Sequence, residues 1–273
     1  MAIARCPPGG WSDPGIYAGA VLLCIDIGNT NTVLATFEGA KIVHSWRVKT
    51  DARSTADELS LMFRGLLASD NVDITGVAAC STVPMALRSL RTMLIRYYGD
   101  LPTVILEPGV KTGVQLAIDN PKEVGSDRVA NTLAAFSLFG GPSIVVDFGT
   151  STNFDVVSAR GEYLGGPLAP GIEISVDALA ARAAQLRKVE LIRPPRVIGK
   201  NTVECLQSGV VFGFAGQVDG LVQRITAELG DSVRAVVATG GLAPIVLDEC
   251  TTVTHHEPML TLKGLRLVFE RNQ

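Results

Sequence analysis

The chain has 273 residues, 47% of them hydrophobic and 19% charged, with a mean hydropathy of +0.30. That length suits two packed domains of roughly 120–140 residues each, and that composition buries a large core and excludes extensive disorder. The net charge of −3 leaves no electrostatic footprint for nucleic acid, so phosphates must be bound locally, by backbone amides, metal ions and a few placed cations.

In chain order, residues 1–20 are rich in Gly, Pro and Ala, with Arg5 the one positive charge and Pro7-Pro8-Gly9-Gly10 interrupting any apolar region. They read as a flexible extension or an upstream start, not a signal peptide. An apolar strand at 21–27 then ends in Asp26-Ile27-Gly28-Asn29-Thr30, a second runs over 33–37, and a third over 42–48. A helix opens at 55–58 and continues to 67, with Ser54 or Thr55 as cap. A short strand at 77–79, a helix over 84–98 with Leu87, Leu90, Leu94 and Ile95 on one face, and a short strand at 103–106 follow. The next helix, 127–138, ends at Gly140-Gly141, where the domain join is placed: 21–140 before it, 141–273 after it.

Beyond the join the plan repeats. Asp147-Phe148-Gly149-Thr150-Ser151-Thr152 ends a strand at 143–148, again followed by an apolar stretch at 154–157 and a third strand expected at 162–164. Strand, glycine turn, strand, turn, strand is a β-meander, and its repetition points to an α/β fold with duplicated halves. Helices are expected at 175–186 and 202–228, the second interrupted by Gly209, Gly213, Gly216 and Gly220. A strand at 235–238 runs into Gly240-Gly241, after which a helix is expected. Trp46 and Phe63 read as core. The adjacent His255 and His256 point to opposite faces of any strand, which disfavours shared metal binding. The basic stretch Arg182, Arg187, Lys188, Arg193 and Arg196 reads as a solvated helix end and loop. Cys6, Cys24, Cys80, Cys205 and Cys250 are odd in number and widely spaced, as reduced cytosolic thiols are. No run approaches the ~18 apolar residues of a membrane span.

Three segments carry phosphate chemistry. In the first turn, Gly28 lets backbone amides approach a phosphate, while Asn29, Thr30 and Thr32 offer short polar groups. Asp26 is placed to hold hydrated Mg²⁺ on phosphate oxygens. An ordinary hairpin turn would use the same residue types, but the second turn repeats Asp-x-Gly plus hydroxyls, and two such turns can grip a triphosphate from both sides. Gly240-Gly241 can support a flat base or ribose on bare backbone. The order phosphate turn, phosphate turn, adenosine loop matches the plan of actin, hexokinase and the chaperone ATPases. In Gly125-Ser126-Asp127-Arg128, Asp127 can accept a proton from an attacking hydroxyl beside an orienting cation, or it can simply cap the helix.

The segments DIGNTNT at 26–32, NPKEVGSDR at 120–128, DFGTST at 147–152, GG-x-L-A-P-G at 165–171, IGKNTVE-x-x-x-SG at 198–209 and ATGGLA at 238–243 together resemble the type III pantothenate kinases. The resemblance covers nearly the whole chain from residue 21 onward. It implies duplicated ribonuclease-H-like domains of the actin-like ATPase fold and transfer of the ATP γ-phosphoryl group to pantothenate in a cytoplasmic homodimer that binds neither nucleic acid nor membrane. By the same resemblance Asp127 is the general base, and Gly125, Ser126, Asp127, Arg128 and Thr202 contact pantothenate. Asp26, Ile27, Gly28, Asn29, Thr30, Asn31, Thr32, Val33 and Thr150, with Gly240 and Gly241, meet ATP and its Mg²⁺. Asp147 binds a monovalent cation, K⁺ or NH₄⁺. Ser126, Asn153, Pro167 and Ile118 depart from the family pattern without removing a charged catalytic group. A regulatory protein of the same fold is the alternative; loss of Asp127, Asp26 or Asp147 would favour it, and all three are present.

Overall fold

The computed structural model describes residues 20–182 and 189–273. The strands expected from the repeat form two five-stranded sheets. In the first, β1 (Val21–Ile27), β2 (Asn31–Glu38), β3 (Lys41–Lys49), β4 (Gly76–Ser81) and β5 (Thr103–Ile105) are ordered β3-β2-β1-β4-β5. In the second, β6 (Ser143–Phe148), β7 (Ser151–Val157), β8 (Leu168–Pro170), β9 (Ala235–Thr239) and β10 (His255–His256) are ordered β10-β9-β6-β7-β8. Each is an antiparallel meander of three strands extended by two parallel ones, so the two halves share one topology.

Period-two alternation builds both faces of the first sheet. Leu23, Ile25 and Ile27 of β1 pack with α1 (Ala56–Ser69) and α2 (Pro84–Tyr98). Cys24, from the opposite face of the same strand, packs with α3 (Ser126–Phe139) and α6 (Leu260–Glu270). The start of α1 is fixed by a capping box: Thr55 Oγ1 accepts from Glu58 N, and Thr55 N donates to Glu58 Oε2. In the second sheet Ile144, Val146 and Phe148 face α4 (Ile172–Arg182) and α5 (Thr202–Leu229), while Val145 and Val157 face Ala134 and Ala135 of α3. Thus α3 contacts both sheets, and α6 returns from the end of the chain to pack on the first. That placement carries the start of α3 to the junction of the two halves.

Four expectations are corrected. Residues 162–164 form only isolated bridges through Tyr163, to Leu116 and Val157. Gly161 before them, at φ +82°, and Gly165 and Gly166 after them, at +93° and +148°, confine the segment, and the third strand is β8. After Gly241 there are only 3-10 turns, Ala243–Ile245 and Leu247–Glu249. That short run carries Pro244 and the β-branched Ile245 and Val246, too little to nucleate an α-helix. The helix expected at 175–186 begins earlier, at Ile172, and its residues 183–186, like 1–19, Arg187 and Lys188, lie outside the described residues. Phe63 is fully buried, but Trp46 is only half-buried: its indole lies against His44 and donates to Asp70 Oδ2 at 3.0 Å. Helix α6 has no counterpart among the sequence expectations.

Candidate active site

The repeated turns come together. Each is closed in the same way, by Gly28 N donating to Asn31 O and by Gly149 N donating to Ser151 O, both at 3.0 Å. Their tips touch: Thr30 Oγ1 and Thr150 Oγ1 share a hydrogen bond of 3.0 Å across the cleft. Beneath them is a cavity of about 190 Å³, into which Asp26, Asp127 and Asp147 all open. Gly28, Asn29, Thr30, Asn31, Val33, Thr150, Gly240 and Gly241 line it as well. Gly240 takes φ +88° and leaves room for the Asp147 carboxylate and the Phe148 carbonyl, either of which a Cβ there would meet at 2.5 Å.

Some expected residues are placed otherwise. Ile27 is buried in the apolar core under the first sheet, and its carbonyl accepts from Ser81 Oγ at 3.0 Å. Thr32 is buried, its hydroxyl paired with Thr50 Oγ1 at 2.9 Å. Thr202 is exposed at the first turn of α5 and is absent from the cavity lining. Gly125 is the N-cap of α3 and makes no side-chain cap, with Ser126 first in the helix. Asp127, second in the helix, is not its cap: Oδ1 accepts from Arg128 N at 2.9 Å, an amide that also donates to Gly125 O at 3.1 Å, while the carboxyl faces the cavity.

The electrostatics fit proton and cation chemistry. Burial first, then the negative charge of Asp127, pushes the Asp26 carboxyl up to about 7, and the same two causes push Asp147 up to about 7. Burial raises Asp127 too, with Arg128 opposing. A buried carboxylate without a cation costs several kcal/mol and prefers to protonate. Asp26 has only the Cys80 thiol as donor, at 3.3 Å. Among the described residues no three His, Cys, Asp or Glu side chains form a metal-holding group. Asp26 and Asp147 would supply one or two carboxylate oxygens to an ion here, the kind of oxygen ligand that Mg²⁺ takes.

Several site residues escaped the sequence reading. Arg128 contacts Asp155 of β7 across 2.9 Å, and Asp155 is wholly buried. Burial drives the Asp155 carboxyl up to about 8, while Arg128 pulls it down. Asn131, also wholly buried, has its amide oriented by Thr261 Oγ1, which donates to Oδ1 at 2.8 Å. Its Nδ2 has no partner of hydrogen-bond geometry, yet it lies near enough to hold down both Asp147 and Asp155. Arg47 and Thr82 join the lining from the first half, and Thr261 and Leu262 from α6. The alternation along β3 could have pointed to Arg47, since its neighbours Trp46 and Val48 are the apolar ones; nothing local marks Asp155, which looks like an interruption of an apolar strand.

The family model of the type III pantothenate kinases matches residues 22–224. The type III pantothenate kinase of Salinispora arenicola (strain CNS-205) is 77% identical over 252 residues, covering 92% of this chain and all of the relative. That of Acidothermus cellulolyticus (strain ATCC 43068 / DSM 8971 / 11B) is 66% identical over 254 residues, covering 92% and 99%. Among solved structures, the activator of the 2-hydroxyisocaproyl-CoA dehydratase from Clostridium difficile superposes with a TM-score of 0.56 at 14% identity, covering 92% of this chain and 95% of that one. The inorganic polyphosphate/ATP-glucomannokinase from Arthrobacter sp. strain KM gives 0.53 at 13%, covering 93% and 100%. Such distant likeness speaks to the fold alone, and with the two matching sheets it identifies duplicated ribonuclease-H-like domains of the actin-like ATPase kind. With both glycine turns, Asp127 and the Gly240-Gly241 loop in one cleft, and relatives this similar along nearly their full length, the chain belongs to the type III pantothenate kinases.

Proposed function

We propose that this protein transfers the γ-phosphoryl group of ATP to the primary hydroxyl of pantothenate, giving 4'-phosphopantothenate, the first step of coenzyme A synthesis. The observation that carries the reading is the convergence of Asp26, Asp127 and Asp147 with both glycine turns on one cavity. The jaws are residues 21–140 and 141–273, with α6 crossing back to the first. The turn amides and hydroxyls hold the phosphates, and Asn29 and Thr30 face Thr150 from the other side. Asp127 takes the proton of the pantothenate hydroxyl as its oxygen forms a bond to the γ-phosphorus. The bond from that phosphorus to the bridging oxygen breaks, and ADP leaves with the electron pair. Arg128, held by Asp155, presents its remaining guanidinium edge to the pantothenate carboxylate. Mg²⁺ at Asp26 and K⁺ or NH₄⁺ at Asp147, when bound, neutralise charge on the phosphates.

Thr202 reaches pantothenate only if the site is completed by a second copy, and exposed Leu168, Ile174, Leu179, Val197, Ile198 and Val203 support a homodimer through that side. We place the enzyme in the cytoplasm; no helix among the described residues is long and apolar enough to cross a membrane. The test is ADP release coupled to a reporter, with and without pantothenate and with K⁺ or Na⁺. The expected result is pantothenate-dependent turnover stimulated by K⁺. ADP release indifferent to pantothenate would refute the substrate.

A further inference from the structure

We infer that Arg47 is a phosphate-binding residue that clamps the nucleotide from the first half of the molecule against the glycine loop of the second. This rests on the kinase reading above and adds a contact that neither the motifs nor the matched turns contain. Arg47 lies on β3, the edge strand of the first sheet, paired in register with Val33, which also lines the cavity. Its neighbours Trp46 and Val48 pack on the apolar core, so alternation turns Arg47 to the other face, towards the cleft. The guanidinium crosses that cleft: a Cβ at Gly241 would stand 2.9 Å from its Nη1 and 3.3 Å from its Cζ. The contact joins an edge strand of one half to the loop after β9 of the other.

The charges of the lining give this cation its task. The cavity presents the carboxylates of Asp26, Asp127, Asp147 and Glu173, and among the described residues Arg47 is the one Lys or Arg in its lining. A triphosphate entering there meets four carboxylates and needs positive charge from more than its metal ion. Arg47 makes no hydrogen bond or ion pair with another described residue, so its donors are unspent. Its charge is nonetheless felt at both turn aspartates, where it lowers the carboxyls of Asp26 and Asp147. A planar guanidinium with free donors between two phosphate turns suits phosphate oxygens in bidentate fashion. Adenine stacking would require only its face, and would not depend on the length of the phosphate chain.

The experiment measures binding of ADP, AMP and adenosine by calorimetry to wild type, Arg47→Met and Arg47→Lys, alongside ATP and pantothenate KM. Arg47→Met is expected to weaken ADP binding and raise the ATP KM about 10- to 100-fold, the range of a charge-assisted contact. Adenosine affinity, pantothenate KM and melting temperature should stay near wild type, because the side chain is exposed on an edge strand. Arg47→Lys should recover part of the ADP affinity but not the bidentate share. Unchanged ADP affinity in Arg47→Met, or equal losses for adenosine and ADP, overturns the inference. Calorimetry needs no turnover, so failure of pantothenate as substrate would leave this test intact and be distinguishable from it.

Discussion

The two halves present the same turn on different foundations. Under the first turn the sheet is apolar, and Asp26 meets only a thiol, Cys80, on the adjacent strand. Under the second turn the interior is polar: Asn131, Asp155 and Arg128 surround Asp147's side of β6 and β7. Duplication supplied two phosphate grips of one shape. Divergence beneath them made the second a charged platform, where Asp155 meets Arg128 beside Asp127, and left the first a carboxylate almost without donors. Helix α3 belongs to both, since Asp127 at its start faces the cavity and its later residues line both cores.

The largest effects fall where the halves meet. Asp127→Asn should lower kcat by about 10²- to 10⁴-fold, the usual share of a general base, while ADP affinity measured by calorimetry changes little. Wild-type turnover in that variant would remove Asp127 from the chemistry. Its carboxyl is raised by burial, so activity should fall with decreasing pH at a point above the ordinary carboxylate range, as protonation removes the acceptor. A limb at the usual carboxylate value would contradict that environment. The platform comes next. Asp155→Ala leaves the largely buried Arg128 without its partner, and because the Asp155 carboxyl sits at about 8, the loss of that counter-charge should be larger above pH 8 than at pH 7. Urea unfolding should show that loss, together with a raised pantothenate KM. Asp155→Asn should keep more of the fold, because it retains volume and polarity. A double variant, Asp155→Ala with Arg128→Met, should regain stability but not pantothenate affinity.

The legibility of the molecule follows the same division. The turns could be read because a repeated Asp-x-Gly with hydroxyls is a local pattern, and the topology followed from seeing it twice. Asp127 could be named but not separated from a capping role; in the structure Gly125 is the cap and Asp127 lines the cavity. Asp155, Asn131 and Thr261 were not legible, because their meaning lies in contacts between β7, α3 and α6, far apart in sequence. Helix α6 was missed as an element, although it carries Leu262, Leu265 and Val268 on one face, and with it went part of the cavity wall. The strand expected at 162–164 stays at isolated bridges through Tyr163, because glycines at positive φ stand on both sides of it, Gly161 before and Gly165 and Gly166 after.

Smaller effects probe the turn aspartates themselves. Both carboxyls sit at about 7 in the folded chain against ~3.9 in an unfolded one, so between those values the folded state binds more protons. Their contribution is fully present below the unfolded value and is lost as pH rises through 7, with a slope of about 1.4 kcal/mol per pH unit for each proton. Without cations the melting temperature should therefore fall between pH 5 and pH 8. Because a cation binds the ionised form, Mg²⁺ and K⁺ should raise the melting temperature more at pH 8 than at pH 6. An equal cation effect at both pH values would detach the ions from these aspartates. The smallest change expected is that of Cys80→Ala. The thiol is a weak donor, and its bond to Asp26 is one of the few influences that lower that carboxyl. Its loss should raise the Asp26 carboxyl further, so that at pH 7 less of it is ionised and the Mg²⁺ requirement rises by about two- to threefold, as expected for less than 1 kcal/mol. At pH 8.5, where Asp26 is ionised with or without the thiol, the difference should shrink. A Mg²⁺ requirement that rises equally at both pH values would mean that Cys80 acts through packing in the first core, and the contrast between a sparse first foundation and a polar second one would then rest on the second alone.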